Sequence, residues 1–143
     1  MNPGFRVAQK AFIENAKGEI LSVRFSEEEP AEIRGTWDFP GGGLEYKESL
    51  REGLLREIRE ELGDSVKVKI GKPVAVWDFM TVDGTNRHCV AIGYKAQWLS
   101  GTVRLSNEHD QYQWISPDKL LTLNLRDGHK NGLEQYLSGR SVV

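Results

Sequence analysis

The chain is poor in sulfur: it carries one cysteine, Cys89, among 143 residues. A single thiol excludes an internal disulfide and any zinc site built from several cysteines. Val90, Ala91 and Ile92 follow it, so the expected role is a buried structural thiol rather than a nucleophile. Long apolar runs are also missing, and no segment approaches the length of a membrane span. The first residues show no basic region leading into an apolar stretch, so a cytoplasmic protein with no membrane partner is expected. Charge of one sign is lacking too, with 19 Lys and Arg against 21 Asp and Glu. At a formal net charge of −2 nothing attracts nucleic acid or acidic lipid globally. An anionic partner must then be held by a local cluster or a metal, and long nucleic acids are not expected partners.

What is present describes a packed domain. Apolar residues at 38%, charged residues at 28% and four tryptophans separate the chain from disordered sequences. Its length suits one domain, residues 1–143, around one substantial core. Phe5 to Ile13 and Glu19 to Phe25 read as a hairpin turned by Asn15-Ala16-Lys17-Gly18, and Trp37-Asp38-Phe39 as a short strand stopped by Pro40. Leu50, Leu54, Leu55, Ile58 and Leu62 recur at helical spacing from about Lys47 to Leu62, with Gly63 placed as a left-handed stop. Further strands are expected over Val66 to Ile70, Val74 to Val82, His88 to Leu99, Val103 to Leu105 and Tyr112 to Ile115. Helices are expected from Ser116-Pro117-Asp118 and over Gly128 to Leu137.

The chemistry concentrates in Pro40-Gly41-Gly42-Gly43 and the helix after it. Glycines let a backbone approach a ligand closely. Downstream, Glu57, Glu60 and Glu61 stand at relative positions 0, +3 and +4, within an arc of about 100° on one helix face. Carboxylates that close repel one another unless a cation sits among them, and hard cations such as Mg²⁺ take such oxygen ligands. The competing reading is a solvated acidic face, and the three glutamates alone do not decide between the two.

Gly42, Glu48, Arg56, Glu57, Ile58, Glu60, Glu61, Gly63 and Asp64 resemble the Nudix hydrolase box: Gly, five residues, Glu, seven residues, then Arg-Glu-aliphatic-any-Glu-Glu-any-Gly-aliphatic. Only Asp64 departs from it, and chance agreement is on the order of 10⁻⁸ per register at usual residue frequencies. Asp64 stands where an aliphatic residue would pack beneath the helix end, which puts local packing in question. Glu108-His109-Asp110-Gln111-Tyr112-Gln113-Trp114 is similar to a second segment found in several Nudix branches. The resemblance implies an α/β fold, a Nudix-type α/β/α sandwich around a mixed sheet. It also implies hydrolysis of a nucleoside diphosphate linked to another group X, dependent on Mg²⁺ or else Mn²⁺.

By the same resemblance Glu57 and Glu61 are the central metal ligands, Glu60 shares a second ion and the Gly41 carbonyl completes a shell. Glu108 is a further ligand or the general base. Arg56 is expected to pair with Glu48 and fix the loop against the helix. His109 is open between a phosphate contact, proton transfer and packing, while His88 and His129 are expected to be structural or solvent-facing. Trp37 and Asp38 are candidates for the nucleoside pocket, and Phe79 for stacking on a base. Phe79-Met80-Thr81-Val82 lies about sixteen residues beyond the box, where members acting on ADP-ribose often carry a proline and those acting on dinucleoside polyphosphates a tyrosine. It has neither. The leading expectation is a free nucleoside triphosphate, normal or oxidised, acted on by a monomer or homodimer. The alternatives are a nucleotide-sugar hydrolase and a catalytically silent nucleotide-binding or regulatory module.

Overall fold

The computed structural model describes residues 2–139; Met1 and residues 140–143 lie outside the described residues. Within them the order is β1 (Phe5–Glu14), β2 (Ile20–Phe25), β3 (Trp37–Asp38), β4 (Gly41–Gly43), α1 (Leu50–Leu62), β5 (Lys67–Met80), β6 (His88–Ser100), β7 (His109–Ile115), α2 (Pro117–Leu120) and α3 (His129–Ser138). β1 and β2 leave their turn as a hairpin but share one register pair, Glu14 opposite Ile20. Beyond it the segment Trp37–Gly43 fills the space between them. β3 pairs antiparallel with β2 and β4 antiparallel with β1, and the Ala11 N–H donates to the Pro40 carbonyl at 2.8 Å. This placement brings the glycines to the centre of the sheet.

On its other edge β1 runs parallel to β6 from Phe5 opposite His88 to Glu14 opposite Gln97, and β5 continues the sheet antiparallel to β6. With β7 antiparallel to β2, the sheet is mixed and covered on both faces. Ala8 to Ile13 are buried without interruption, as a central strand flanked by a parallel partner requires. The pleat sends Ala11 and Ile13 toward Leu54, Ile58 and Leu62 of α1, and Phe12 toward Leu120 of α2 and Leu133 of α3. Each fully buried leucine or isoleucine of α1 contributes about 1.5–3 kcal/mol. The result is the expected α/β/α layering.

Local chemistry sets the ends of α1. The Ser49 side chain accepts from the Glu52 N–H at 3.1 Å, and the Gly63 N–H reaches the Arg59 carbonyl at 2.9 Å. Gly63 has φ 98° and ψ 158°, so glycine is needed there, although the chain leaves extended rather than through the expected left-handed helical turn. Asp64 is exposed, and Val66, 4% exposed, packs into the α1 cluster. Leu50 is 49% exposed and lies outside the packed stripe.

Two strand expectations change. Val66 to Ile70 and Val74 to Val82 are parts of one strand, β5, whose register shifts on either side of Pro73, because proline has no N–H for the ladder. Val103 to Leu105 forms no strand. The Arg104 N–H instead donates to the Leu62 carbonyl at 2.7 Å, and Val103 and Leu105 pack beside α1.

Candidate active site

A cleft of about 390 Å³ opens where β1, β4, α1 and the residues just before β7 meet, a size within the usual range for small-molecule sites. Gly41 and Gly42 explain how the helix comes so near the sheet. A Cβ on Gly42 would lie 2.6 Å from the Glu57 carboxyl carbon, and one on Gly41, at φ 136°, would lie 2.8 Å from the Lys10 Cα. The glycines therefore form a strand rather than a loop, and what approaches them is β1 and the carboxylate of α1. The Gly41 N–H donates to Glu61 Oε1 at 2.9 Å, and its carbonyl accepts from Lys10 Nζ at 3.1 Å.

Arg56 binds the near end of α1 to the loop. Its Nε donates to Glu48 Oε2 at 2.6 Å and a terminal nitrogen to Glu48 Oε1 at 3.0 Å, a bidentate pair. The same guanidinium donates to the Gly43 carbonyl at 3.0 Å and Glu57 Oε1 at 3.0 Å. The hydrogen bonds from Arg56, with that from the Glu45 N–H, lower the Glu48 pKa to about 2. Arg56 also reaches Glu60 at 3.2 Å, but the Glu60 side chain is 57% exposed. The structure thus brings Glu57 and Glu61 into the cleft and leaves Glu60 outside it, at the solvent side of Arg56.

Beneath the cleft lies a buried polar chain. Lys10 Nζ donates to Asp38 Oδ2 at 2.9 Å, and these two residues are 3% and 1% exposed. His129 Nε2 bonds Asp38 Oδ1, and the Trp77 indole donates to His129 Nδ1 at 3.1 Å. An indole nitrogen can only donate, so Nδ1 accepts and Nε2 carries the proton toward Asp38. Burial pushes the His129 pKa down, which leaves a neutral imidazole in that tautomer at neutral pH. Burial alone would raise the Asp38 pKa, but Lys10 and His129 outweigh it and hold the carboxyl well below its ordinary range. With His129 neutral, Lys10 is the charged partner that matters.

Glu61, 5% exposed, shows the opposite balance. Burial pushes its pKa well up, Asp38 and Glu57 add to the rise, and Lys10 offsets only part of it. Glu108 is open to solvent at the rim, and its pKa is also raised by partial desolvation and by Glu29 and Glu57. His109 is 4% exposed against the Phe25 ring, and burial lowers its pKa to about 4. Ligand atoms of Glu61, Glu108 and His109 lie within 4.8 Å of one another. The buried Glu61 carboxylate, held against its preference for water beside the rim carboxylate of Glu108, suits a divalent cation. The fit of the residues to such an ion is therefore good.

The remaining candidates divide. Phe79 lines the cleft, with the Arg126 guanidinium 4.5 Å above its ring. Asp38 lies at the cleft floor with its carboxylate engaged by Lys10 and His129. Trp37 packs against the core on the α3 side, and its backbone pairs with Asn124 and Arg126. His88 bonds Asp78 at the surface. Arg6, Lys10, Glu29 and Arg126 line the cleft without having been singled out. For Lys10 a signal existed: Gln9-Lys10 interrupts the otherwise apolar run from Val7 to Ile13. Among the described residues, no helix is long and apolar enough to cross a membrane.

Residues 4–136 match the NUDIX domain family model. The chain is 32% identical over 132 residues to a CTP pyrophosphohydrolase of Escherichia coli K12, covering 92% of this chain and 91% of that protein. It is 35% identical over 99 residues to the nucleoside triphosphatase NudI of Enterobacter sp. 638, covering 65% of this chain and 70% of the relative. A MutT protein from Methanosarcina mazei Go1 superposes with a TM-score of 0.80 at 32% identity, over 94% of each chain.

Proposed function

The chain belongs to the Nudix hydrolase family, whose members cleave pyrophosphate bonds with a divalent metal, and from that premise we propose that it is a Mg²⁺-dependent hydrolase of free nucleoside triphosphates, normal or oxidised. The observation that carries the reading is that charges of both signs line one cleft: Glu57, Glu61 and Glu108 together with Arg6, Lys10 and Arg126, an arrangement suited to a metal-bound polyphosphate. The relatives' names, a CTP pyrophosphohydrolase and a nucleoside triphosphatase, favour a free nucleotide. Cytoplasmic nucleotides would then be its substrates.

In this reading Glu57, Glu61, Glu108 and the Gly41 carbonyl hold the cation, with Glu60 available from the solvent side. When bound, the ion neutralises the phosphate oxygens and polarises the phosphorus centre. Arg56 and Glu48 keep α1 and the glycine strand in a fixed relation, so the carboxylates need no reorganisation when substrate arrives. Glu108, at the rim of the cleft, also accepts the proton of the attacking water. Arg6 holds the phosphates, and the planar guanidinium of Arg126, stacked on Phe79, offers a flat face for the base.

The test is a panel of nucleoside triphosphates, oxidised triphosphates and nucleotide sugars with Mg²⁺, read by phosphate release after pyrophosphatase or phosphatase treatment. Turnover confined to nucleotide sugars would refute the substrate assignment, and no turnover of any compound would refute the enzyme reading. Glu57→Gln and Glu61→Gln should each lower kcat by roughly 10²–10³ or more; near-normal rates in both would sink the metal assignment.

A further inference from the structure

We propose that His109 is a nitrogen ligand of the cation in this cleft, giving the site a mixed oxygen and nitrogen donor set. The inference rests on the cation reading above and goes beyond it, because it concerns an imidazole outside the carboxylate helix. Three observations carry it. His109 is 4% exposed, and among the described residues no group hydrogen-bonds either of its ring nitrogens. The other fully buried histidine shows what a structural role looks like in this fold: both nitrogens of His129 are satisfied, by Trp77 and Asp38. Buried imidazole nitrogens without partners call for a reason, and packing against Phe25 supplies none.

The second observation is distance. A nitrogen of His109 and carboxylate oxygens of Glu61 and Glu108 all lie within 4.8 Å of one another. Octahedral ligands about 2.1–2.2 Å from an ion stand about 3.0 Å apart when adjacent and about 4.3 Å apart when opposite. Atoms spread over no more than 4.8 Å come onto one ion by side-chain adjustment.

The third is how the backbone aims the residue. Glu108 lies in the turn before β7 and His109 is the first residue of the strand, so the strand's register decides which face His109 takes. At the start of β7 the register slips: Arg24 faces Gln111, whereas Phe25 faces His109. Asp110 is the extra residue of this bulge, held outside by a bidentate pair with Arg24 at 3.0 and 2.9 Å. Bulges re-aim side chains in this way. Here it turns His109 inward beside Phe25, their ring centroids 4.9 Å apart.

An imidazole in place of one oxygen shifts preference from Mg²⁺ toward transition ions such as Mn²⁺. The experiment uses the full-length protein loaded with Mn²⁺ and electron spin-echo envelope modulation. A directly bound imidazole should give ¹⁴N modulation in the wild type, retained in His88→Asn and lost in His109→Asn, or in His109→Gln if the asparagine variant does not fold. Mn²⁺ affinity by titration calorimetry should fall about tenfold or more in the same variant, and Mg²⁺ affinity by less. Mn²⁺ binding that is abolished by Glu61→Gln but lacks ¹⁴N modulation would overturn the role of His109 and leave the carboxylate site standing. Modulation that survives in the His109 variant would overturn it equally. Failure of Mn²⁺ to bind at all would overturn both readings together.

Discussion

Asp38→Asn keeps the shape of the side chain and removes the charge that Lys10 faces. Lys10 and Asp38 are 3% and 1% exposed, so water cannot replace the lost partner, and the ammonium keeps only the Gly41 carbonyl at 3.1 Å. Breaking a buried pair from one side costs about 3–5 kcal/mol. For a chain of this length each kcal/mol moves Tm by about 3–4 °C, so a fall of roughly 10–20 °C is expected. The assay is urea and thermal unfolding followed by circular dichroism at pH 7, on Asp38→Asn, Lys10→Met and the double variant. Removing both charges leaves no uncompensated ion, so the double variant should be more stable than the sum of the singles by about 2 kcal/mol or more. An Asp38→Asn loss below about 1 kcal/mol, or simple additivity, would refute the claim that this pair ties β3 and β4 to β1.

Metal-free protein should lose stability as pH rises above about 4.5, because Glu61 has a raised pKa in the folded state and the unfolded chain releases that proton first. The slope is at most about 1.4 kcal/mol per pH unit, and Glu61→Gln should flatten it; an unchanged Tm–pH curve in that variant would contradict the assignment. The sign is opposite for Glu48, whose folded pKa is lowered to about 2: its contribution is complete above about pH 4.5 and disappears as pH falls toward 2, so Glu48→Gln should blunt acid unfolding measured by fluorescence. Arg56→Lys cannot reproduce the bidentate bond to Glu48 while reaching Gly43 and Glu57, and should cost about 1–3 kcal/mol in urea melts together with a lower kcat. Asp64→Leu, at an exposed position, should change stability by no more than about 0.5 kcal/mol; a larger gain would show that the helix end lacks the apolar contact assigned to Val66.

Most of α1 was legible in the chain itself. The leucine and isoleucine spacing and Gly63 at the stop are local signals, and helix periodicity is a property of neighbours three and four residues apart. The strands of the sheet were legible as extended runs, since alternation is also local. Their partners were not. Nothing in Trp37 to Gly43 announces that it will lie between β1 and β2, because pairing depends on which edges are left unsatisfied after the hairpin splays. The same blindness explains Trp37, whose aromatic ring suited a pocket but packs into the core on the α3 side.

The sequence by itself determined the carboxylate face and the Arg56 to Glu48 pair, for the box packs its chemistry into 23 residues from Gly42 to Asp64 and local geometry does the rest. Tertiary structure alone decided which carboxylates share the cleft. Glu57 and Glu61 turn inward and Glu60 outward because the sheet meets α1 along one line, and a helix face 100° wide is broader than that line. It also decided that Lys10, Asp38 and His129, up to 119 positions apart in the chain, form one buried support, and that a bulge at Asp110 aims His109 inward. Such contacts are set by strand register and by the exclusion of water from the core, and neither is written in any one stretch of residues.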